Sequence, residues 1–245
     1  MFSDAVFLTE KPQLRKPILI EGLPGVGFVA NIVALHLISE LNAKKFCEIR
    51  SPSFQAFSLT SRRGDFLYPI NELYHCSMKS MDNDLLILFG NSQANDSRGQ
   101  YDLCNRILDV TQSLGGEFVI TIGGLRKDPV PTEPHVLCTA TDKETLQLAK
   151  RFGAEVMHGH VYGAAGLLIA LARLRKMRGL CVLSETSGLF ADVAAARSAL
   201  QFISRLLNMK IDYSRLDKAV ENNRRLLNSF ARPRSPERPS FVGPV

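Results

Sequence analysis

The chain has 245 residues, 45% hydrophobic and 22% charged, with 17 Gly and 12 Pro, the composition of an ordinary globular protein long enough to bury a core without disulfide or metal staples. No apolar run reaches the ~18 to 20 residues of a membrane span, and Met1-Phe2-Ser3-Asp4 lacks the basic and apolar regions of a secretory signal, so a cytoplasmic protein with no membrane contact is expected. The net charge of +6 is concentrated: from Tyr213 to Val245 seven cationic residues stand against three acidic ones, leaving 23 against 21 elsewhere, a near-neutral body that argues against nucleic acid as a partner.

Residues 1–16 read as a leader. Pro17-Ile-Leu-Ile-Glu21 is a short apolar run that stops at Gly22-Leu-Pro-Gly-Val-Gly27, the pattern of strand then turn. Phe28 to Leu41 carries Phe28, Ile32, Leu35 and Leu37/Ile38 at helical spacing. Phe46 to Ile49, Phe54 to Leu59 and Phe66 to Met78 alternate in shorter runs punctuated by Pro52, Gly64 and Pro69, as short strands do. Asp84-Leu-Leu-Ile-Leu-Phe-Gly90 is apolar without alternation, which predicts a strand buried on both faces.

Gly99 to Leu114 predicts a helix, Glu117 to Ile122 a strand ending at Gly123-Gly124, and Val136 to Thr139 another strand. Helices follow from Thr141-Asp142 to Phe152 and over Gly163 to Met177, then a strand at Cys181 to Ser184. Asp192 is placed to cap a helix over Val193 to Leu207, and Tyr213 to Leu227 predicts a last amphipathic one. Strand, glycine turn and helix in repetition indicate one α/β domain over 17–228, a three-layer α/β/α sandwich on a mostly parallel or mixed sheet. Residues 229–245 are basic and proline-rich and are expected to be disordered.

Motif chemistry is sparse. The Gly22–Gly27 loop has the placement of a phosphate loop, but Phe28-Val29 follow where Lys and Ser/Thr would hold a nucleotide, and the spacing is not Gly-x-Gly-x-x-Gly; close packing of helix on strand is the competing reading. His158-Gly-His160 lacks a third ligand nearby, so no metal is expected, and no cofactor. Cys47, Cys76, Cys104, Cys138 and Cys181 are odd in number, without CxxC, and read as buried thiols. There is no Gly-x-Ser-x-Gly, and no catalytic residue is assigned. Ser184-Glu185-Thr186-Ser187-Gly188 and Gln93, Asn95, Asp96 and Arg98 follow strands, where α/β proteins bind ligands, and serve equally well as caps and turns.

Five segments in order, Glu21-Gly-Leu-Pro-Gly-Val-Gly27, Gly90-Asn-Ser-Gln93 with Tyr101, Thr121-Ile-Gly-Gly124, Gly159 to Leu168, and Glu185-Thr-Ser-Gly188 leading to Asp192 and Ala194-Ala195, resemble the proteasome assembly chaperone family, the archaeal and bacterial relatives of the second eukaryotic assembly chaperone. The resemblance implies a phosphorylase/hydrolase-like sandwich, no established catalytic residues, homo-oligomers, and protein partners that include proteasome α-subunits. Members that bind the α-ring end in hydrophobic-Tyr-X, whereas this sequence reads Gly243-Pro-Val245, so insertion of the tail is not expected here. The alternative function is a small-molecule enzyme or sensor for a nucleoside or phosphorylated ligand. Its rim would comprise Gly25 and Gly27 for an anion, Gln93 and Asp96 for polar recognition, Gly123 and Gly124, and Glu185 or Thr186 for orientation.

Overall fold

The computed structural model describes residues 2–60, 63–79, 81–129, 131 and 133–231. The chain runs β1 (Asp4–Phe7), β2 (Ile18–Gly22), a 3-10 turn at Val26–Phe28, α1 (Val29–Glu40), β3 (Lys44–Arg50), β4 (Leu59–Thr60), β5 (Phe66–Leu67), β6 (Asn71–Cys76) and β7 (Leu85–Gly90). It continues through α2 (Ser97–Ser113), β8 (Phe118–Arg126), β9 (Val136–Ala140), α3 (Lys143–Arg151), β10 (Glu155–Val156), α4 (Gly163–Leu174), β11 (Arg178–Thr186), α5 (Val193–Leu206) and α6 (Ser214–Ala231).

Nine strands form one sheet in the order β1-β3-β6-β7-β2-β8-β11-β9-β10, while β4 and β5 pair with each other. The centre, β7-β2-β8-β11, is parallel, and antiparallel strands extend it on both sides. The sheet is therefore mixed. The parallel strands are the unbroken apolar runs of the sequence because helices cover both of their faces. Ile18 and Ile20 of β2 join the core under α1, α5 and α6, whereas Leu19 joins the core under α2 and α4. Three helices start at aspartates whose Oδ1 accepts an orphan amide of the first turn: Asp96 from Gly99 N at 2.8 Å, Asp142 from Thr145 N at 2.7 Å and Asp192 from Ala195 N at 3.0 Å, each stabilising by about 1 kcal/mol.

Several expectations are corrected. The supposed leader contains β1, which pairs with β3 as an edge strand and is tied to α2 by Arg106 Nε donating to Ser3 O at 3.1 Å. Phe54 to Leu59 is not a continuous strand; Phe54 makes an isolated bridge to Ala94, and only Leu59 enters a strand, the two-residue β4. Gly123-Gly124 does not end β8, which runs on to Arg126 against an equally extended β11. The reason is steric: a Cβ on Gly124 would lie 2.3 Å from Val26 O, so glycine lets the turn after β2 sit directly on the strand. Residues 229–231 continue α6, and the remainder of the expected disordered tail, 232–245, lies outside the described residues. No helix among the described residues is long and apolar enough to cross a membrane.

Candidate functional site

Because β7, β2, β8 and β11 are parallel, the loops after them converge at one edge of the sheet, where open α/β sheets bind their partners. The Leu23–Phe28 turn lies at the centre of this rim. A Cβ on Gly22 would sit 2.2 Å from Ala34 Cβ and 2.8 Å from Leu88 O; the glycine serves close approach of α1 to the sheet, the packing reading of this motif. Leu23 N donates to Glu21 Oε1 at 2.8 Å and Phe28 N to Gly25 O at 3.0 Å, so both amides are turned inward and away from any anion. Gly25 is extended and open to solvent.

Gly27, at φ 65°, is pressed against β11 and α5: its carbonyl accepts Asp192 N at 2.8 Å. Thr186 Oγ1 donates to Asp192 Oδ2 at 2.6 Å and accepts Gly188 N at 3.1 Å. Thr186 and Asp192 thus fasten the turn after β2 to the loop after β11. Gln93 plays the same part on the other side. Its Nε2 donates to Pro24 O at 2.5 Å, and its Oε1 accepts Gln100 Nε2 and Ala164 N, both at 2.9 Å. One amide therefore joins the central turn, α2 and the start of α4, while Asp96 is spent as the α2 cap.

Glu185 is buried and paired with Lys127 Nζ at 2.9 Å, and its Oε2 accepts His135 N at 3.3 Å. Burial pushes this carboxyl up, but the Lys127 hydrogen bond, the His135 amide and their charges outweigh that and hold it below the usual range. Lys127 and His135 were not legible as partners, since 50 or more positions separate each from Glu185. Gly123 faces Leu183 and Gly124 faces Val26 and Thr186, both inside β8. The structure places all eight of these residues at one edge of the sheet and engages the polar ones with neighbouring loops, caps and side chains.

Glu21 emerges from the structure as the unusual group. Its side chain is fully buried on the α2 and α4 side, and its oxygens accept only backbone amides, Leu23 N at 2.8 Å and Ile122 N at 3.3 Å. Burial, only partly offset by those amides, raises its pKa to about 7. The β2 to β8 pairing ends at Ile20 and Ile120, so this carboxyl bonds to β8 where the ladder stops and the central turn begins. A buried carboxyl under the turn disfavours an anion above it.

The rim offers apolar side chains to solvent beside the exposed, charged Arg126 and Lys127. Val26, Phe28, Leu189 and Phe190 are all exposed, the last at 73%, and their two loops are those fastened by Gly27, Thr186 and Asp192. Phe28 adopts the left-handed conformation at φ 51°, which costs a bulky residue about 1–3 kcal/mol and marks a position held by its surroundings. His158 and His160 are exposed, and His160 stacks on Tyr162 with centroids 5.9 Å apart. Among the described residues no group of three or more His, Cys, Asp or Glu could hold a metal ion.

Comparison with known proteins gives a consistent result. The model of the PAC2 family matches residues 19–231. The uncharacterized protein MJ1210 of Methanocaldococcus jannaschii is 31% identical over 210 residues, 85% of this chain and 80% of that protein. The crystal structure of Pyrococcus furiosus PbaB, an archaeal proteasome activator, matches with a TM-score of 0.88 at 32% identity, covering 94% of this chain and 99% of that one. Pyrococcus furiosus PbaA, an archaeal homolog of proteasome-assembly chaperone, shares the fold at a TM-score of 0.78 and 21% identity, over 94% and 92% of the two chains.

Proposed function

The chain belongs to the PAC2 family, and on that premise we propose that it is a non-catalytic proteasome-directed chaperone, a homo-oligomer that receives proteasome α-subunits on the rim at the strand ends. The observation that carries this reading is the likeness to PbaB along nearly the full length of both chains. The rim supports it. Its polar side chains hold three loops and two helices in place, while Val26, Phe28, Leu189 and Phe190 present an apolar cluster to solvent, as protein-binding surfaces do. Stiff loops lower the entropy lost on docking, and the strained Phe28 is held ready for contact before a partner arrives.

Native mass spectrometry of the chain with α-subunits of its own organism tests the proposal. Capture of α-subunits at low and moderate salt, abolished by Phe190→Asp, is the expected result. Absence of capture at low salt overturns it, and a reproducible small added mass on the chain alone would favour the small-molecule enzyme or sensor instead.

A further inference from the structure

The helix α4 is apolar on every side but for the exposed Arg173 in its last turn. Its sequence, Gly163-Ala-Ala-Gly-Leu-Leu-Ile-Ala-Leu-Ala-Arg-Leu174, buries Ala164, Leu168, Ile169, Leu171 and Ala172 against the sheet and α2, yet Gly163, Gly166, Leu167, Ala170 and Leu174 recur at helical spacing on the outward side, where Gly163, Ala170 and Leu174 are exposed and Gly166 and Leu167 half-buried. A helix with so little polar surface is ordinarily covered on most of its sides. Here the outward ridge is uncovered, and its two ends carry Tyr162 at 84% exposure and Leu174 at 80%, the most exposed large hydrophobic side chains among the described residues. A groove follows the ridge on each side: one of about 490 Å³ between α2 and α4, walled by Tyr101, Tyr162 and Leu167 on one part and by the polar Gln93, Asp96 and Gln100 on another, and one of about 440 Å³ between α4 and β9, walled by Thr139, Ile169, Arg173 and Leu174. Both share Val161, Gly166 and Ala170.

We infer that this face is the seam between two copies of the chain, joined by antiparallel packing of α4 on α4. The occupant follows from symmetry. Tyr162 and Leu174 are equidistant from position 168, as are Gly166 and Ala170, so turning a second α4 end for end places its Leu174 beside Tyr162 and its Tyr162 beside Leu174. That is the self-complementarity a two-fold interface requires. Gly166 and Ala170 let the helix axes approach at the centre, and the partner's end residues enter the grooves flanking the ridge. The exposed side chains supply part of the area such a pair needs. With ~150–250 Å² for a large aromatic side chain, the exposed parts of Tyr162 and Tyr101 amount to roughly 270 Å² per copy, and Leu174 with the walls of the two grooves brings the pair toward the ~1,000 Å² that a specific interface exceeds. This inference rests on the homo-oligomer in the proposed function and names the surface that forms it.

Analytical ultracentrifugation of the full chain, without α-subunits, tests it. Ala170→Glu adds a charge at the centre of the seam on an exposed position, so the monomer keeps its circular dichroism and Tm while the dissociation constant of the pair rises ~30-fold or more. Phe190→Asp, on the rim, leaves self-association unchanged. A wild type that associates while Ala170→Glu associates equally well overturns the seam and leaves the homo-oligomer standing. A wild type that stays monomeric overturns both. Loss of α-subunit capture with self-association intact counts against the proposed function alone. Orientation is read by cross-linking: Tyr162→Cys mixed with Leu174→Cys forms a disulfide heterodimer, and cross-linking of Tyr162→Cys only with itself would overturn the antiparallel arrangement.

Discussion

Replacing Glu21 by Gln gives opposite effects on stability at the two ends of the pH range. The folded carboxyl titrates at about 7 against an ordinary 4.5, so between these values the native state binds more protons than the unfolded chain, and stability falls as pH rises. At ~1.4 kcal/mol per pKa unit, about 3 kcal/mol is lost on passing from pH 4.5 to above 7. The substituted amide carries no charge to bury, but its Nε2 donor would face Ile122 N, which now donates to Glu21 Oε2 at 3.3 Å, a mismatch worth about 1–2 kcal/mol. Glu21→Gln is therefore less stable than wild type by about 1 kcal/mol at pH 5 and more stable by about 1–2 kcal/mol at pH 8.5, a Tm difference of a few degrees that changes sign. Acidic groups held low, such as Asp84 and Glu48, are the same in both proteins and cancel in the difference. Chemical denaturation of both proteins at pH 5 to 8.5 measures it. Parallel curves would refute the reasoning, because they would mean that Glu21 stays ionised or reaches water.

Gln93→Ala removes a side chain that joins Pro24, Gln100 and Ala164; a loss of about 2–3 kcal/mol is expected, with faster amide exchange at Ala164 and the central turn than at the far ends of the strands. Phe28→Asn relieves the left-handed backbone strain and should raise stability by about 1 kcal/mol while weakening α-subunit capture, a pairing of effects that a merely structural Phe28 would not give. Burial pushes the thiols of Cys47 to about 11 and Cys181 to about 12 and that of Cys104 higher still, so native alkylation at pH 8 should be slow at these three and complete only after denaturation, as read by intact mass. A saturated complex with α-subunits should contain two copies of the chain and two α-subunits by native mass.

The parallel centre of the fold was legible because burial on both faces writes continuous apolar runs, as at β2 and β7, and because the aspartate caps at positions 96, 142 and 192 announce helices locally. The edge strands were not. Asp4–Phe7 has only four residues and takes its place from a pairing that sets Asp4 to Phe7 opposite Arg50 to Cys47, a long-range register that no local pattern encodes. Gly123-Gly124 misled for a related reason: glycine marks a turn when its φ requires it, but here it marks a close approach by another backbone, Val26 O, from about one hundred residues upstream. The eight candidate residues lie at or near strand ends, with Gly123, Gly124, Glu185 and Thr186 still inside β8 and β11, and the bonds that engage them were not visible in the sequence. Gln93 and Glu185 look like ligand groups in a sequence, and only their partners at Pro24, Ala164 and Lys127 show them engaged in holding the rim together. Phe28 carried the opposite error, since its helical spacing with Ile32 and Leu35 grouped it with the apolar face of α1, whereas the structure exposes it.

The two apolar surfaces constrain each other. Gln93 links the central turn to Ala164, so the rim and the N-terminal end of α4 lie at the same edge of the molecule, and α4 runs away from it. An antiparallel α4 pair consequently turns the two rims in opposite directions, with Leu174 of one copy near the rim end of the other. Two partners then meet such a pair from opposite sides, not side by side on one flat face. Under the proposed function, such a pair would hold its two partners apart, and each would be released by freeing its own rim. Because the hydrogen bonds of Gln93 fix the rim and the start of α4 as one unit, loosening that clasp should affect capture and self-association together, whereas Ala170→Glu and Phe190→Asp, which lie outside it, separate them.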